Sequence, residues 1–304
     1  MSTNWVIAGC RGQLGYALGR QLAEQAGCRV LAAVDLPEVD ISDPNAVGRV
    51  LDGLDPAPDF LVNAAAFTHV DRCEREPEAA RRANAVAPGV LAEACARAGS
   101  RLVHVSTDYV FAGDAERPYS EEDAPAPRSV YGRTKLEGEE RVRAVSEDFL
   151  VVRTSWVYGR GRNFLAAILA QAQARRRGEA SGPLRVVDDQ RGRPTYAEDL
   201  AAGIRELLER GAHGLYHLAG GGEATTWWEL ARVCLDAGGF EDLVVDRIRT
   251  EELHLAAARP ARSVLDCSKA EARGVRLRNW RDALGAYLEA PESPLGAAEA
   301  AANA

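Results

Sequence analysis

The fold is decided near the N-terminus, where an apolar run ends in a glycine-rich turn, Trp5-Val6-Ile7-Ala8-Gly9-Cys10-Arg11-Gly12-Gln13-Leu14-Gly15. The apolar run predicts a buried strand, and the residues after the turn have the pattern of an amphipathic helix. Glycines at this junction let the backbone approach a pyrophosphate, which then lies at the helix N-terminus. A turn that needs glycine only for a positive φ has a similar sequence, so the turn alone is a weak indication of a dinucleotide site.

Outward from this turn, short apolar runs alternate with longer amphipathic stretches. The runs predicted to be buried strands are residues 5–8, 29–34, 60–62, 102–106 and 149–153. The intervening stretches predicted to be helices are residues 13–25, 44–54, 77–98 and 130–145. This alternation is typical of an α/β fold with a doubly wound parallel sheet, the Rossmann arrangement.

The second half of the chain is less regular and predicts a smaller C-terminal α/β lobe. Helices are expected at residues 163–177, 197–209, 226–236 and 280–288, and strands at 184–187 and 215–218. We therefore predict a dinucleotide-binding domain of residues 1–157 and 189–218, and a substrate domain of residues 158–188 and 219–290. The proline- and alanine-rich residues 291–304 are predicted to form a disordered tail.

Composition excludes several classes of protein. The net charge is −8 with no basic stripe, so nucleic acid is not an expected partner. No apolar run approaches the roughly 20 residues that cross a bilayer, and the first residues lack a signal-peptide pattern, so we expect a cytoplasmic protein without membrane contact. The six scattered cysteines predict free thiols rather than a disulfide framework or a metal site.

Two further features support a dinucleotide site. Asp35 ends the second predicted strand, 20 residues after Gly15, where a carboxylate would accept a hydrogen bond from a ribose hydroxyl. Asn63 is followed by three small side chains at the end of the third strand, where a cofactor would cross the strand ends. Asp35 favours NAD because it repels a 2′-phosphate, whereas Arg11 could pair with that phosphate, so both cofactors stay open.

The sharpest signal is the pair Tyr131 and Lys135, which lie one turn apart on a predicted helix. Only two of the 37 basic residues are lysine, at positions 135 and 269, and an ordinary exposed contact would tolerate arginine. We expect the ammonium to lower the pKa of the Tyr131 phenol, which would donate a proton to a carbonyl oxygen as hydride reaches the carbon. Thr107, at the end of the fourth strand, supplies a hydroxyl that could orient the carbonyl.

With these residues in place, the chain resembles the extended short-chain dehydrogenases/reductases, and within them the dTDP-4-dehydrorhamnose reductase (RmlD-like) family. The matching blocks run from residue 5 to about residue 289. The most specific are Ser106-Thr107-Asp108-Tyr109-Val110-Phe111, Tyr131-Gly132-Arg133-Thr134-Lys135, Asp189-Gln190-Arg191-Gly192-Arg193-Pro194-Thr195 and Arg259-Pro260-Ala261-Arg262-Ser263.

The resemblance implies an oxidoreductase that reduces the C4 ketone of a dTDP-4-keto-6-deoxyhexose with NADPH or NADH, giving dTDP-L-rhamnose or a related deoxysugar such as dihydrostreptose. The implied catalytic residues are Thr107, Tyr131 and Lys135. The cofactor-binding residues expected from the residue patterns and the resemblance together are Gly9, Arg11, Gly12, Gln13, Leu14, Asp35, Asp40, Ile41, Ala64, Ala65, Ala66, Tyr131 and Lys135. The implied substrate-binding residues are Thr68, Val70, Tyr109, Trp156, Asn163, Gln190 and Arg259. Trp156 could instead be a core residue, and Gln190 and Arg259 could satisfy loop carbonyls or a helix end.

The sequence departs from the family pattern at one position linked to metal binding and dimerisation. Some family members dimerise through Mg²⁺ held by acidic residues, one of which lies where this chain has Ala17. Alanine offers no oxygen ligand, so we predict no metal site, and a homodimer stays open without that mode of association.

The sequence bears on three rival functions. A related dehydratase would have a second acid after Thr107-Asp108, where this chain has Tyr109. A nucleotide-sugar epimerase needs a further acid–base residue at the sugar, which the sequence alone does not exclude. A non-catalytic regulatory subunit of the methionine adenosyltransferase type is disfavoured by the complete hydroxyl–tyrosine–lysine set.

Overall fold

The computed structural model describes residues 2–296 of the chain. In chain order its strands are β1 (Thr3–Ala8), β2 (Cys28–Val34), β3 (Phe60–Asn63), β4 (Arg101–Thr107), β5 (Phe149–Thr154), β6 (Val157–Tyr158), β7 (Leu184–Val187), β8 (Arg191–Gly192), β9 (Thr195–Tyr196), β10 (Gly214–His217), β11 (Thr225–Thr226) and β12 (Val245–Ile248). Its α-helices are α1 (Gln13–Glu24), α2 (Pro44–Asp52), α3 (Val70–Arg75), α4 (Pro77–Arg81), α5 (Ala87–Ala98), α6 (Val130–Val145), α7 (Phe164–Arg176), α8 (Ala197–Glu209), α9 (Trp227–Ala237), α10 (Ser268–Ala272) and α11 (Trp280–Glu289).

The main sheet is parallel and has the strand order β2-β1-β3-β4-β5-β10. Alternate residues of β1 belong to different hydrophobic clusters, because successive side chains of a strand point to opposite faces. Trp5 and Ile7 pack with α1 and α8, and Val6 and Ala8 pack with α2, α5 and α6. Helices therefore cover both faces, and the predicted doubly wound Rossmann sheet is confirmed.

The helix predicted at residues 77–98 is interrupted by a π-helical segment, Arg82–Val86, which separates α4 from α5. Pro88 has no backbone N–H to donate to the carbonyl of Asn84, four residues earlier, so the regular helical ladder cannot continue there. The Asn84 carbonyl instead meets α6 at Gly138, where a Cβ would lie 2.2 Å from that oxygen. The irregular turn thus brings α6, which carries Tyr131 and Lys135, close to the π segment.

A separate hydrophobic cluster builds the smaller lobe from α7, α9, α11 and the strand β7, which pairs in parallel with β12. Ala270 of α10 and the residues after it pack instead on the core formed by α1 and α8. The domain boundaries given above stay a prediction.

The predicted disordered tail is wrong for residues 291–296. The Ser293 side chain is fully buried and its Oγ donates to the Leu288 carbonyl, while Leu295 packs against the small-lobe cluster. Glu292 accepts a hydrogen bond from the Tyr196 hydroxyl at 3.0 Å. Local composition predicts a tail, but it does not show contacts with residues far away in the sequence, such as Tyr196. Residues 297–304 of the predicted tail lie outside the described residues.

Within residues 2–296 no helix is both long and apolar enough to cross a membrane. The six cysteines are all free thiols, as their scattered positions predicted.

Candidate active site

A cleft of about 1160 Å³ opens at the carboxyl ends of the parallel strands. It spans the point where the strand order reverses between β1 and β3, which is where open α/β sheets bind ligands. We call its two parts the glycine end, formed by residues 9–15, Asp35 and Ala64–Ala66, and the tryptophan end, formed by Trp156 and Trp227. Thr107, Tyr131 and Lys135 line the same cleft.

The glycine end brings three backbone segments into close approach. Gly9 has a φ of 83°, and a Cβ there would lie 2.5 Å from the Ala65 nitrogen. A Cβ at Gly15 would lie 2.1 Å from the Gly9 carbonyl oxygen. Gly12 is the N-cap of α1 and provides no side-chain hydrogen bond, so first-turn amides of α1 have no side-chain cap and can bind an anion.

Asp35 and Arg11 are held in a hydrogen-bonded arrangement beside the turn. The Asp35 carboxylate accepts from the backbone N–H groups of Arg11 and Leu36, at 2.8 and 2.9 Å. The Arg11 guanidinium donates to the Leu36 carbonyl and to Glu38, both at 2.7 Å. Because it already has a carboxylate partner, Arg11 would have to leave Glu38 to contact a 2′-phosphate.

Two buried oxygens that line the cleft have no hydrogen-bond partner within residues 2–296, the Gln13 Oε1 and the Thr154 Oγ1. A buried polar atom without a partner is costly, and such atoms are normally satisfied by water or a ligand. The open glycine turn and the unpartnered Gln13 Oε1 are therefore compatible with a bound dinucleotide.

Tyr131 is positioned by the start of α6. The Ser129 side chain caps this helix by accepting from the Gly132 N–H at 3.1 Å, and Glu74 accepts from the Val130 N–H at 2.7 Å. Burial raises the pKa of Tyr131 above its ordinary value, against the opposing effect of a hydrogen bond with Thr107. The phenol is therefore neutral and holds a proton that it can donate.

Lys135 lies on the same helix and is 2% exposed. Its Nζ donates to the Val105 carbonyl at 2.6 Å and lies 3.4 Å from the His104 Nε2. Burial lowers the pKa of Lys135 to about 8, and the nearby charge of Glu139 offsets part of this effect. The expectation that Lys135 lowers the pKa of Tyr131 is wrong for this structure, because the ammonium is directed at β4 and burial dominates at the phenol.

A buried hydrogen-bond chain extends from Lys135 toward the floor of the glycine end. The Asn63 Oδ1 accepts from the Ala65 N–H at 3.2 Å, which turns its Nδ2 toward the His104 Nδ1 at 3.1 Å. His104 is fully buried, and burial together with Lys135 holds its pKa well below its usual range. This chain connects the backbone beneath the glycine end to the amine of Lys135.

Thr107 is held by Asp108 and Ser263. The Thr107 hydroxyl donates to the Asp108 Oδ1 at 3.1 Å, and the Ser263 hydroxyl donates to the Asp108 Oδ2. Burial raises the pKa of Asp108 to about 6, although both hydrogen bonds favour the carboxylate. A residue 155 positions away in the sequence thus helps to fix the orientation of the Thr107 hydroxyl.

The tryptophan end depends on a strained residue. Trp156 has a φ of 49°, which side chains other than glycine rarely adopt and which functional sites often retain. Its ring stacks on Trp227 with centroids 3.7 Å apart and planes 8° from parallel. Gly192 lies against the same indole, and a Cβ there would be 2.5 Å from its Cε2.

The structure brings most of the predicted site residues together. All of the predicted catalytic and cofactor-binding residues line the cleft, as do Thr68, Val70, Tyr109 and Trp156. Three predicted substrate-binding residues are instead engaged in other contacts. Asn163 caps α7 and contacts the Tyr287 hydroxyl, Gln190 joins Thr250 to Trp227, and Arg259 pairs with Asp71 at 2.6 Å. Their roles at the substrate stay predictions.

Residues that sequence reasoning missed include Trp227, His104 and Ser263. Trp227 lies in a predicted helix, but its place in the cleft depends on stacking with Trp156, 71 positions earlier, which the local sequence does not show. His104 and Ser263 were within quoted or predicted segments, but nothing in their spacing linked them to Lys135 or Asp108.

No group of three metal-ligating side chains occurs in the described part of the chain. Ala17 is 1% exposed and packs in the core between α1 and α8. This position offers no oxygen ligand to a cation, and the absence of a metal site stays a prediction.

Known proteins with similar sequences and structures identify the family of this chain. The family model for the RmlD substrate binding domain matches residues 3–292. The chain is 40% identical to the dTDP-4-dehydrorhamnose reductase of Mycolicibacterium smegmatis over 93% of this chain and 84% of that protein. It is 41% identical to a probable dTDP-4,6-dihydroxy-2-methyloxan-3-one 4-ketoreductase of Streptomyces antibioticus, over 92% of each chain. The dTDP-4-dehydrorhamnose reductase of Bacillus anthracis, solved in complex with NADP, superposes with a TM-score of 0.87 at 32% identity, over 95% of this chain and 99% of that one.

Proposed function

The chain belongs to the RmlD substrate-binding-domain family, and from this premise we propose that it is an NAD(P)H-dependent reductase of the C4 ketone of a dTDP-4-keto-6-deoxyhexose. The observation that carries the proposal is the presence of Thr107, Tyr131 and Lys135 in one cleft beside an open glycine cradle. Relatives that reduce such sugars support the substrate class.

The chain's own residues supply proton transfer and orientation. When bound, the reduced nicotinamide supplies the hydride. The neutral phenol of Tyr131 donates its proton to the C4 oxygen as negative charge develops there. Thr107 would hold the carbonyl in line with that phenol by donating its one hydroxyl proton to the C4 oxygen instead of to Asp108. Lys135 would hold the nicotinamide ribose, and the open amides at the start of α1 would hold the pyrophosphate.

The cofactor is proposed to be NADPH, with NADH as the alternative. NADP in the Bacillus anthracis relative supports NADPH. Asp35, whose carboxylate lies beside the glycine turn, and the pairing of Arg11 with Glu38 favour NADH, because both weaken the site for a 2′-phosphate.

The sugar is proposed to be dTDP-4-dehydrorhamnose or a close relative. Two relatives of nearly equal identity carry the names of different keto-sugar reductases, so the similarity supports the class of substrate more strongly than its stereochemistry. The product configuration at C4 depends on how the tryptophan end holds the ring.

The test is to mix the full-length protein with a dTDP-4-keto-6-deoxyhexose and either NADPH or NADH. We expect loss of reduced-cofactor absorbance and formation of a secondary alcohol at C4, identified by NMR. A Tyr131→Phe protein is the control for adventitious reduction. If neither cofactor is consumed by the wild-type protein, the reductase proposal is wrong.

The same samples separate the rival functions. An epimerase would incorporate solvent deuterium at the sugar carbons next to the ketone without consuming the cofactor. A regulatory subunit would bind the cofactor without changing the sugar.

A further inference from the structure

A second cavity, of about 370 Å³, lies beside β8 and is rich in arginine. Arg191, Arg193 and Arg262 line it, together with the loop that carries Glu116 and Arg117. It shares no lining residue with the active-site cleft. Its volume falls in the range of sites that hold small molecules.

Arg191 and Arg262 are directly opposite each other in a parallel β-bridge. The Arg191 N–H donates to the Ala261 carbonyl at 2.7 Å, and the Ser263 N–H donates to the Arg191 carbonyl at 3.0 Å. Like charges at directly opposed positions destabilise a strand pair. This arrangement therefore has an electrostatic cost that a bound anion would remove.

The guanidinium groups of these three arginines are free to bind an anion. Within residues 2–296, no carboxylate lies within 4.0 Å of any of them. Their only side-chain hydrogen bonds in that range are long ones, from Arg191 to the Ala224 carbonyl and from Arg193 to the Leu265 carbonyl, both 3.4 Å. The Arg193 Nε is buried and has no partner there, and a buried donor of this kind normally has one.

The acidic residues at the rim do not neutralise this cluster. Glu116 and Glu223 line the cavity but are exposed and lie beyond ion-pair distance of the three arginines. Arg117 is already paired with Asp123 at 2.6 Å. The cavity is thus a local concentration of positive charge on a chain whose net charge is −8.

The cavity lies behind the wall of the active-site cleft. Gly192 faces the indole of Trp156, which lines the cleft. Because successive residues of a strand point to opposite faces, the side chains of Arg191 and Arg193 point away from Trp156. The two cavities therefore lie on opposite sides of β8.

We propose that this cavity, named here the arginine pocket (Arg191, Arg193 and Arg262), binds a phosphate-bearing small molecule through charge-assisted hydrogen bonds at a site separate from the cleft. Guanidinium groups match phosphate oxygens in geometry and charge. Binding in this pocket does not depend on the reductase activity. Arg262 precedes Ser263, which donates to Asp108, so an occupant would lie next to the residues that hold Thr107.

The test is calorimetric titration of the full-length protein with inorganic pyrophosphate, with inorganic phosphate as a smaller probe. The titration is done without and then with saturating NADP⁺ and dTDP, which fill the phosphate sites in the cleft. We expect pyrophosphate to bind one site, and the double variant Arg191→Gln/Arg262→Gln to bind at least about tenfold more weakly. The matched control is Arg49→Gln/Arg97→Gln, which removes two exposed arginines on α2 and α5 and should leave binding unchanged.

A second measurement distinguishes loss of anion binding from misfolding of the variant. Without any anion, the melting temperature of the Arg191→Gln/Arg262→Gln protein should equal or exceed that of the wild type, because the opposed charges are gone. The proposal is overturned if pyrophosphate does not bind, if the double variant binds it as well as the wild type, or if dTDP abolishes the binding.

Discussion

The glycine end of the cleft is made of backbone and small side chains at the ends of adjacent strands, whereas the tryptophan end is made of large side chains from distant segments. Gly9 and Ala65 meet because β1 and β3 pair in parallel register. Trp156 and Trp227 meet only because the small lobe packs against the sheet domain. The glycine end therefore follows from the sheet itself, and the tryptophan end depends on packing between lobes.

Tyr131 and Lys135 lie between these two ends, on α6. The same helix is held against the sheet by Glu139, which is fully buried and pairs with Arg153 through two hydrogen bonds of 2.8 and 2.7 Å. Changes at the centre of the cleft should therefore affect chemistry, and changes at either end should affect one ligand more than the other.

The largest effect is expected at the centre, from Tyr131→Phe. Loss of the proton donor should lower kcat by about 10²–10⁴, while NADPH affinity, measured by fluorescence titration, stays within about threefold. Tyr216→Phe is the control, since Tyr216 packs in the core with α1 and α8 and does not line the cleft. Undiminished turnover by Tyr131→Phe would mean that another group donates the proton.

Lys135→Arg should lower kcat/KM by about tenfold to a hundredfold, because a planar guanidinium does not fit the buried position of a compact ammonium. Wild-type kcat/KM for the cofactor should also fall as pH rises through about 8, where Lys135 loses its charge. The Lys135→Arg variant should not show this decrease, because the guanidinium stays charged. Lys269→Arg, at the other lysine, serves as the control. A fully active Lys135→Arg enzyme would contradict the argument from the scarcity of lysine.

Gly192→Ala should affect the tryptophan end alone. The new methyl group would displace the Trp156 ring, so kcat/KM for the sugar should fall by about tenfold while KM for NADPH is unchanged. The matched control is Gly285→Ala on α11, where a Cβ meets nothing within 4 Å. Equal losses for sugar and cofactor would show that the two ends are not independent.

The smallest effect is expected from Asp108→Asn. This change should lower kcat by about threefold to tenfold at neutral pH, because one hydrogen-bond acceptor for Thr107 or Ser263 is lost. In the wild type, Asp108 is a carboxylate above pH 6 and becomes protonated below it, so kcat/KM should fall as pH drops through about 6. The Asp108→Asn variant should not show this decrease in kcat/KM at low pH. Asp242→Asn, at a side chain that is 79% exposed, should retain it.

The sequence predicted the parts of the molecule that are set by local pattern. The sequence predicts the helix at residues 130–145 with the observed bounds, because Ser129 is a good N-cap. A continuous helix at residues 77–98 follows from amphipathic periodicity, which takes no account of the missing N–H of Pro88. At the site, the paired tyrosine and lysine could be read from spacing, but the orientation of the Lys135 amine could not, since it depends on Val105 and His104 of another strand.

The scarcity of lysine makes this protein suited to chemical footprinting. An acylating reagent that modifies uncharged amines would find only two lysine side chains, and one of them, Lys135, lies in the wall of the cleft. Its lowered pKa leaves a larger uncharged fraction near neutral pH than an ordinary lysine has. Because only 2% of Lys135 is exposed, its amine would react slowly, and a ligand in the cleft would slow the reaction further. The extent of modification, counted by mass spectrometry against Lys269 as an internal standard, would therefore report how much of the cleft is filled, without any substrate turnover.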